Sequence, residues 1–312
     1  MLPAFLTTIL WSYCVIASLR SIAQLGENAA NLARILVALA ALGLMAHLFG
    51  MGLGGGGFAY FFLSGMIGFG FGDIGIFYAL PRLGSRLTLL MAQCMAAPIA
   101  GLAEWAWLGT TLNGIQVLAI CIILAGIVFA LAPRNIPAAN LPSFLAGILF
   151  GTVAALGQGL GAVLSRKAYA AAHAAGSWTE PRGILDSVFM GATSGYQRLV
   201  GGALVVVVFY LLSLMVSSWR TRPRGPEAGD LPGRKVKYVL LTAASGPVFG
   251  IICFQWALAT TPSAVVQPIV AMTPLVVMPM ARYLEGDRPD RRAVSGALLS
   301  VLGVILLAWA TA

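Results

Sequence analysis

Residues 78–85 read Tyr-Ala-Leu-Pro-Arg-Leu-Gly-Ser, and residues 256–263 read Trp-Ala-Leu-Ala-Thr-Thr-Pro-Ser. Each is an aromatic residue, Ala-Leu, a four-residue break and Ser, and each closes a long apolar run. The agreement continues downstream. Pro98 answers Pro274, Trp107-Leu108 answers Tyr283-Leu284, and Gly126 in Leu-Ala-Gly-Ile-Val answers Gly303 in Val-Leu-Gly-Val-Ile. Upstream, Ser18-Leu19-Arg20 resembles Leu164-Ser165-Arg166, and Arg34 and Arg198 each precede an apolar run. Helices rich in Ala, Leu and Gly align by chance, but chance does not keep the matches in order. The chain reads as a duplication, with one half at 1–135 and the other at 141–312.

The solvent for most of this chain is lipid. Of its 312 residues 59% are apolar and 9% charged, whereas soluble domains carry about 45–50% and about 25%. Apolar runs occur near 3–20, 29–49, 58–80, 86–108, 113–132, 143–165, 189–216, 238–259, 263–282 and 293–310. A run of about 20 residues crosses ~30 Å of hydrocarbon as a helix. The predicted fold is therefore an all-α membrane protein of ten transmembrane helices. The polar connections are short except for Lys167 to Val188 and Ser217 to Lys237, the second carrying Arg-Thr-Arg-Pro-Arg-Gly-Pro. The N-terminus opens in an apolar run without a basic leader, so it reads as the first span rather than a removable signal.

Five spans per copy force the second copy to enter the membrane from the opposite side, so the two five-helix repeats are expected to be inverted. Inverted repeats around a midplane site are a recurrent plan of secondary transporters. The net charge of +9 lies in the connections rather than on one basic face, which excludes a nucleic-acid partner and reads as a topology signal. Arg20, Arg82, Arg86, Arg134, the stretch from Arg220 to Lys237 and the stretch from Arg282 to Arg292 share one side; Arg166, Lys167 and Arg182 share the other. That count puts both termini outside. Cys14, Cys94, Cys121 and Cys253 sit inside apolar runs with no CxxC pair and no neighbouring His. They read as small buried residues, with no metal and no cofactor expected.

Three stretches carry a resemblance: Ala30-Asn31-Leu32-Ala33-Arg34-Ile35-Leu36-Val37-Ala38, the Tyr-Ala-Leu turn followed by a span with a central Pro, and Gln267-Pro268-Ile269-Val270-Ala271-Met272-Thr273-Pro274 leading to Tyr283-Leu284-Glu285-Gly286-Asp287-Arg288. The chain resembles the EamA branch of the drug/metabolite transporter superfamily over nearly its whole length. The resemblance implies a transporter of the bacterial plasma (inner) membrane, with termini cytoplasmic where the charge count says the reverse. One position departs from the pattern: Leu108-Gly109-Thr110 lacks the acid that Glu285 supplies in the second half.

An ionisable side chain at a helix centre costs at least ~2.5–3.5 kcal/mol in lipid, so each one is a functional candidate. Within the spans these are Arg34, His47, Asp73, Glu104 and Arg198. Asp73 lies about seven residues before the end of its span, roughly 10 Å deep. Arg34 enters from the same side to a depth within about one turn of it. An Arg34–Asp73 pair is expected. Glu104 follows Gln93 by 11 positions, which brings the two within about 20° on one helix face, with Ala97 and Ala100 on the same stripe. Glu104 is expected near the other membrane face, paired with Arg198. Asp73 is the first choice for a protonation site and Glu104 the second. Interfacial snorkelling is the alternative for all four, Arg34, Arg198, Glu104 and, least of all, Asp73.

Gly70-Phe71-Gly72-Asp73 matches the GxGD string of intramembrane aspartyl proteases, but that chemistry needs a second carboxylate close by. Asp186, Asp230, Asp287 and Asp290 all fall in connections. His47 and His173 lack any motif, and His47 reads as an interfacial polar residue. Trp11, Tyr13, Tyr78, Gln93, Gln158, Gln255, Trp256 and Gln267 are the candidates for solute binding, because buried amides need partners that either a solute or a neighbouring helix supplies. Gly147, Gly151 and Ala155, and Gly157 and Gly161, form small-xxx-small rows. Pro98 and Pro274 are expected to mark paired kinks, with Pro268 and Pro279 nearby.

No GxxxxGK[ST] loop is present, so a gradient must supply the energy. The sequence thus points to a secondary transporter, exporting a small neutral or zwitterionic metabolite such as an amino acid by alternating access. Its expected partners are that solute and membrane lipid, as a monomer or homodimer. An enzyme acting on a lipid-linked substrate is the alternative, and a membrane scaffold without a cavity the third.

Overall fold

The computed structural model describes residues 2–108, 113–131, 140–178, 183–218, 232–260, 266, 269–284 and 291–311. All regular structure among them is helical. In chain order the helices are α1 (Leu2–Leu25), α2 (Glu27–Phe49), α3 (Phe58–Gly65), α4 (Asp73–Leu89), α5 (Ala96–Leu108) and α6 (Gly114–Leu131). After residue 140 come α7 (Leu141–Ala174), α8 (Ile184–Ser218), α9 (Pro232–Ala243), α10 (Phe249–Thr260), α11 (Thr273–Leu284) and α12 (Arg291–Thr311). Wider π-helical turns at Met66–Gly72, Leu90–Cys94 and Ala244–Val248 join α3 to α4, α4 to α5 and α9 to α10.

Seven helical stretches are long and apolar enough to cross a membrane, and one of them, Phe58–Ala103, is 46 residues long. At ~1.5 Å per residue a straight helix of that length is more than twice the hydrocarbon thickness. Gly84 breaks it. Its φ of 76° and ψ of 170° lie where a Cβ is disfavoured, so the helix ends in the turn where the sequence expects the chain to reverse. Gly114–Ala130 is a shorter apolar helix. The outward faces are as apolar as the interior: Leu44, Leu63, Val128, Leu149, Leu211 and Leu302 are all exposed. Such a surface suits a lipid belt.

Helices do not associate in lipid through the hydrophobic effect, so close packing and interhelical hydrogen bonds must hold the bundle. The small-residue rows of α7 serve this. Gly147 receives Leu83, Gly151 receives Met91, and Gly157 lies against the backbone of Gly72 with no room for a Cβ between them. Ser64 Oγ donates to the Gly161 carbonyl at 2.7 Å and meets Ser165 Oγ at 2.9 Å, tying α3 to α7. On the other side Thr8 Oγ1 donates to the Ile269 carbonyl at 3.1 Å, and Cys14 Sγ to that of Thr242 at 3.5 Å.

These bonds cross the middle of the sequence. α2 packs along α8, α1 lies against α9, α10 and α11, and α7 lies against α4 and α5. One apolar cluster joins Leu90, Ile123 and Ala130 to Met278, Val301 and Leu307; another joins Ile35 and Leu42 to Leu199, Phe254 and Val270. The expected halves interleave and share their cores.

Several local expectations change. The connection expected from Lys167 to Val188 is largely helix, because α7 runs on to Ala174 and α8 begins at Ile184. Ala, Lys and Arg favour helix past the membrane edge, and Ala168, Tyr169 and Ala172 are buried against Phe61 and Trp178. Pro98 and Pro274 each come just after an interruption of the helical path, at Met95 and at Ala271-Met272, and fall in the first turn of α5 and α11, since neither can donate to the carbonyl four residues back. Cys14 and Cys94 are buried as expected, but Cys121 is exposed and Cys253 half-buried, since an apolar thiol on an outward face meets lipid without penalty.

Candidate functional site

A cavity of about 70 Å³ lies among α1, α2, α4, α7, α8, α10 and the π-helical turns. Its polar lining comprises Trp11, Cys14, Ser18, Arg34, Asp73, Gln93, Gln158 and Arg198, and Phe69, Phe77 and Ile251 supply apolar walls. Three charged side chains here are almost wholly buried: Arg34 is 4% exposed, Asp73 7% and Arg198 3%.

The π turn Met66–Gly72 sets up this arrangement. Its glycines leave the backbone thin enough for α7 and α8 to approach, and Asp73 is the first residue beyond it. π-helical segments inside α-helices are frequent at functional sites because the extra residue redirects the side chains that follow. Asp73 thereby faces α2, where its carboxylate forms an ion pair with Nη2 of Arg34. Arg34 is held on two further sides: Nε donates to Asn31 Oδ1 at 3.1 Å, and the guanidinium carbon stands 4.6 Å from the Phe77 ring centroid. The pairing expected from depth alone is present.

Arg198 differs from its expectation. It lies well inside α8 and faces the same cavity as the Arg34–Asp73 pair. Its Nη1 donates to Gln255 Oε1 at 3.1 Å, and its guanidinium carbon is 5.2 Å from the Phe69 centroid. Gln255 is fully buried; its Nε2 lies 3.3 Å from Tyr169 Oη, which also meets Ser194 Oγ at 2.9 Å. The Glu104 side chain lies outside the described residues, and so does the proposed Glu104–Arg198 contact.

Of the solute-binding candidates, Trp11, Gln93 and Gln158 line the cavity. Gln255 stands behind Arg198 as its support. Tyr13 does not reach the cavity and is 37% exposed, because two helical residues from Trp11 is about 200° around α1. Tyr78 stacks on Phe150 at 4.9 Å beneath Arg82, away from the cavity, and Trp256 is half-buried outside it. Gln267 falls outside the described residues. His47 is exposed and meets Tyr196 Oη at 3.3 Å, in keeping with an interfacial role. The sequence reading missed Asn31, Tyr169 and Ser194, which hold the two arginines, because buried polar residues of these types are as common in interhelical bonding as in sites.

The sequence profile described as "EamA-like transporter family" matches residues 145–309. The chain belongs to the EamA-like transporter family. This family assignment, with the seven membrane-length helices, makes the protein an integral membrane transporter of the drug/metabolite type. No curated protein matches the chain. A solved structure described as "Crystal structure of protein" is similar in fold, with 16% identity and a TM-score of 0.61 over 98% of this EamA-like chain and 94% of the other. The matched profile covers the second half, yet Arg34, Asp73, Gln93 and Trp11 of this transporter's cavity come from the first.

Proposed function

We propose that this transporter is a secondary carrier that exports a small organic solute across a bacterial inner membrane by alternating access, with the central cavity as its binding site. The observation that carries this reading is a partly open cavity walled from both halves of the chain and lined by three almost wholly buried charged side chains in an apolar bundle. Buried charge at such depth marks substrate or ion pathways.

The arrangement proposed is ten transmembrane helices in two inverted five-helix repeats. Dividing Phe58–Ala103 at Gly84 and counting α6 and α11 gives ten. The repeat is supported by π turns Met66–Gly72 and Ala244–Val248, which stand at matching distances before Tyr78-Ala79-Leu80 and Trp256-Ala257-Leu258. Pro98 and Pro274 open α5 and α11 in the same way. Energy is proposed to come from a proton gradient through Asp73, with Glu104 as the second candidate. A proton on Asp73 would release Arg34, and that exchange of partners is a two-state element of the kind a coupled carrier needs.

The test is untargeted metabolite profiling, inside and outside, of cells with and without the gene. One solute should accumulate outside when the wild-type protein is made and not when Asp73→Asn is made. Identical profiles for wild-type and gene-free cells sink the transporter reading; identical profiles for wild type and Asp73→Asn remove Asp73 from coupling.

A further inference from the structure

The charges of the cavity do not balance. Among the described residues lining it, Arg34 and Arg198 are cations and Asp73 is the one anion. Arg34 is committed to Asp73, Asn31 and Phe77. Arg198 has only a neutral amide, on Nη1, and the face of Phe69. Its Nε is buried without a hydrogen-bond partner among the described residues, and no bond from Nη2 is present there either. A buried cation hydrogen-bonded only to a neutral amide is costly in lipid, even with the Asp73 carboxylate attracting it across the cavity.

The unengaged atoms of Arg198 are a matched pair. Nε and Nη2 lie along one edge of the guanidinium, the edge that grips a carboxylate through two parallel hydrogen bonds. Two glycines let this edge pack closely: a Cβ on Gly68 would lie 3.0 Å from Nη2, and one on Gly161 3.3 Å, so both backbones close up against the guanidinium. Gln158, one turn from Gly161 on α7, also lines the cavity, and its Nε2 is a second buried donor without a partner. Two donors without acceptors and one surplus positive charge ask for the same thing, an anion with oxygen acceptors.

We propose that the cavity binds a small monocarboxylate drawn to Arg198, whose Nε–Nη2 edge is covered by protein in this conformation and turns toward the cavity to take the two oxygens, with the Gln158 amide as a further donor. This rests on reading the cavity as the transport site. The single surplus charge favours a monoanion over phosphate. The expected zwitterion is less suited, because its ammonium would have to take Asp73 from Arg34. The narrow part of this partly open cavity, about 70 Å³, is large enough for a short-chain acid such as propionate or lactate, which are the smallest members of the class to test.

The experiment is thermal unfolding of the purified full chain in detergent with millimolar propionate, lactate, propionamide, alanine, benzoate or phosphate. Propionate and lactate raise the midpoint in a saturable way, and the other four raise it less. Arg198→Lys, which keeps the charge but loses the fork, weakens the propionate response about tenfold or more. Propionamide, alanine, benzoate or phosphate matching propionate overturns the proposal, as does an unchanged response in Arg198→Lys or no response to either short acid. Propionate binding without flux into liposomes would overturn the transport reading and leave this one standing. Flux of another solute without carboxylate binding would do the reverse.

Discussion

The amide oxygen of Gln255 on α10 accepts a hydrogen bond from Nη1 of Arg198 on α8 at 3.1 Å. Where Arg34 has a carboxylate, Arg198 has a neutral group of nearly the same shape, and that one difference leaves the cavity with a net positive charge. Gln255→Glu is therefore expected to neutralise Arg198 without disturbing the geometry. The fold should hold, with an unfolding midpoint in detergent close to wild type, while propionate binding falls by more than tenfold. Equal propionate binding in the variant would contradict the charge argument.

The Arg34–Asp73 pair should behave as one unit. Removing one partner of a buried ion pair strands the other and costs about 3–5 kcal/mol. Asp73→Asn and Arg34→Gln should each lower the unfolding midpoint, and the double variant should lower it by clearly less than the sum, with a coupling of about 1–3 kcal/mol. Additive shifts would show that the two side chains do not depend on each other.

Accessibility separates a carrier from a scaffold. In a background with the four native cysteines replaced, Gln158→Cys should react with a membrane-impermeant thiol reagent from one side of the membrane and be protected by excess propionate. In a second background that keeps Cys121 alone, this exposed residue of α6 should react only with a lipid-soluble reagent. No labelling of Gln158→Cys from either side would contradict a water-filled cavity.

Packing makes a sharper demand than charge at one place. Gly157 and Gly72 meet backbone to backbone, so Gly157→Val must push α7 away from the turn that carries Asp73. Little folded protein should survive detergent extraction, as measured by size-exclusion chromatography. Gly176→Ala, by contrast, is a strained backbone position (φ 62°) with open space around it, and should cost only about 1 kcal/mol. Equal yields for Gly157→Val and wild type would mean that the contact contributes nothing.

The Arg34–Asp73 pair was legible because depth in a membrane helix follows from counting residues, and two opposite charges at one depth have few other partners. The same count does not locate Arg198: α8 begins at Ile184, well before the apolar run, and helix rotation, which decides whether a side chain faces cavity or lipid, depends on packing. The misplacement of Tyr13 and Tyr78 has the same origin: aromatics serve as core, belt and binding wall alike. The π turn before Asp73 was hidden because Gly68, Gly70 and Gly72 read equally well as close-packing residues.

Composition and the length of the apolar runs were enough to place this chain in a membrane, since hydrocarbon leaves the backbone few options and demands about 20 apolar residues for each crossing. The ordered matches between its halves were enough to raise the duplication, and the family profile agrees with the transporter class they implied. Which polar groups share a cavity, and which remain unpaired in it, was a matter of three-dimensional packing. Asp73 has Arg34, Arg198 has only Gln255, and that imbalance arises from contacts between residues 57 or more positions apart in Arg198's case and 39 in the other, set by helix rotations that periodicity alone leaves free.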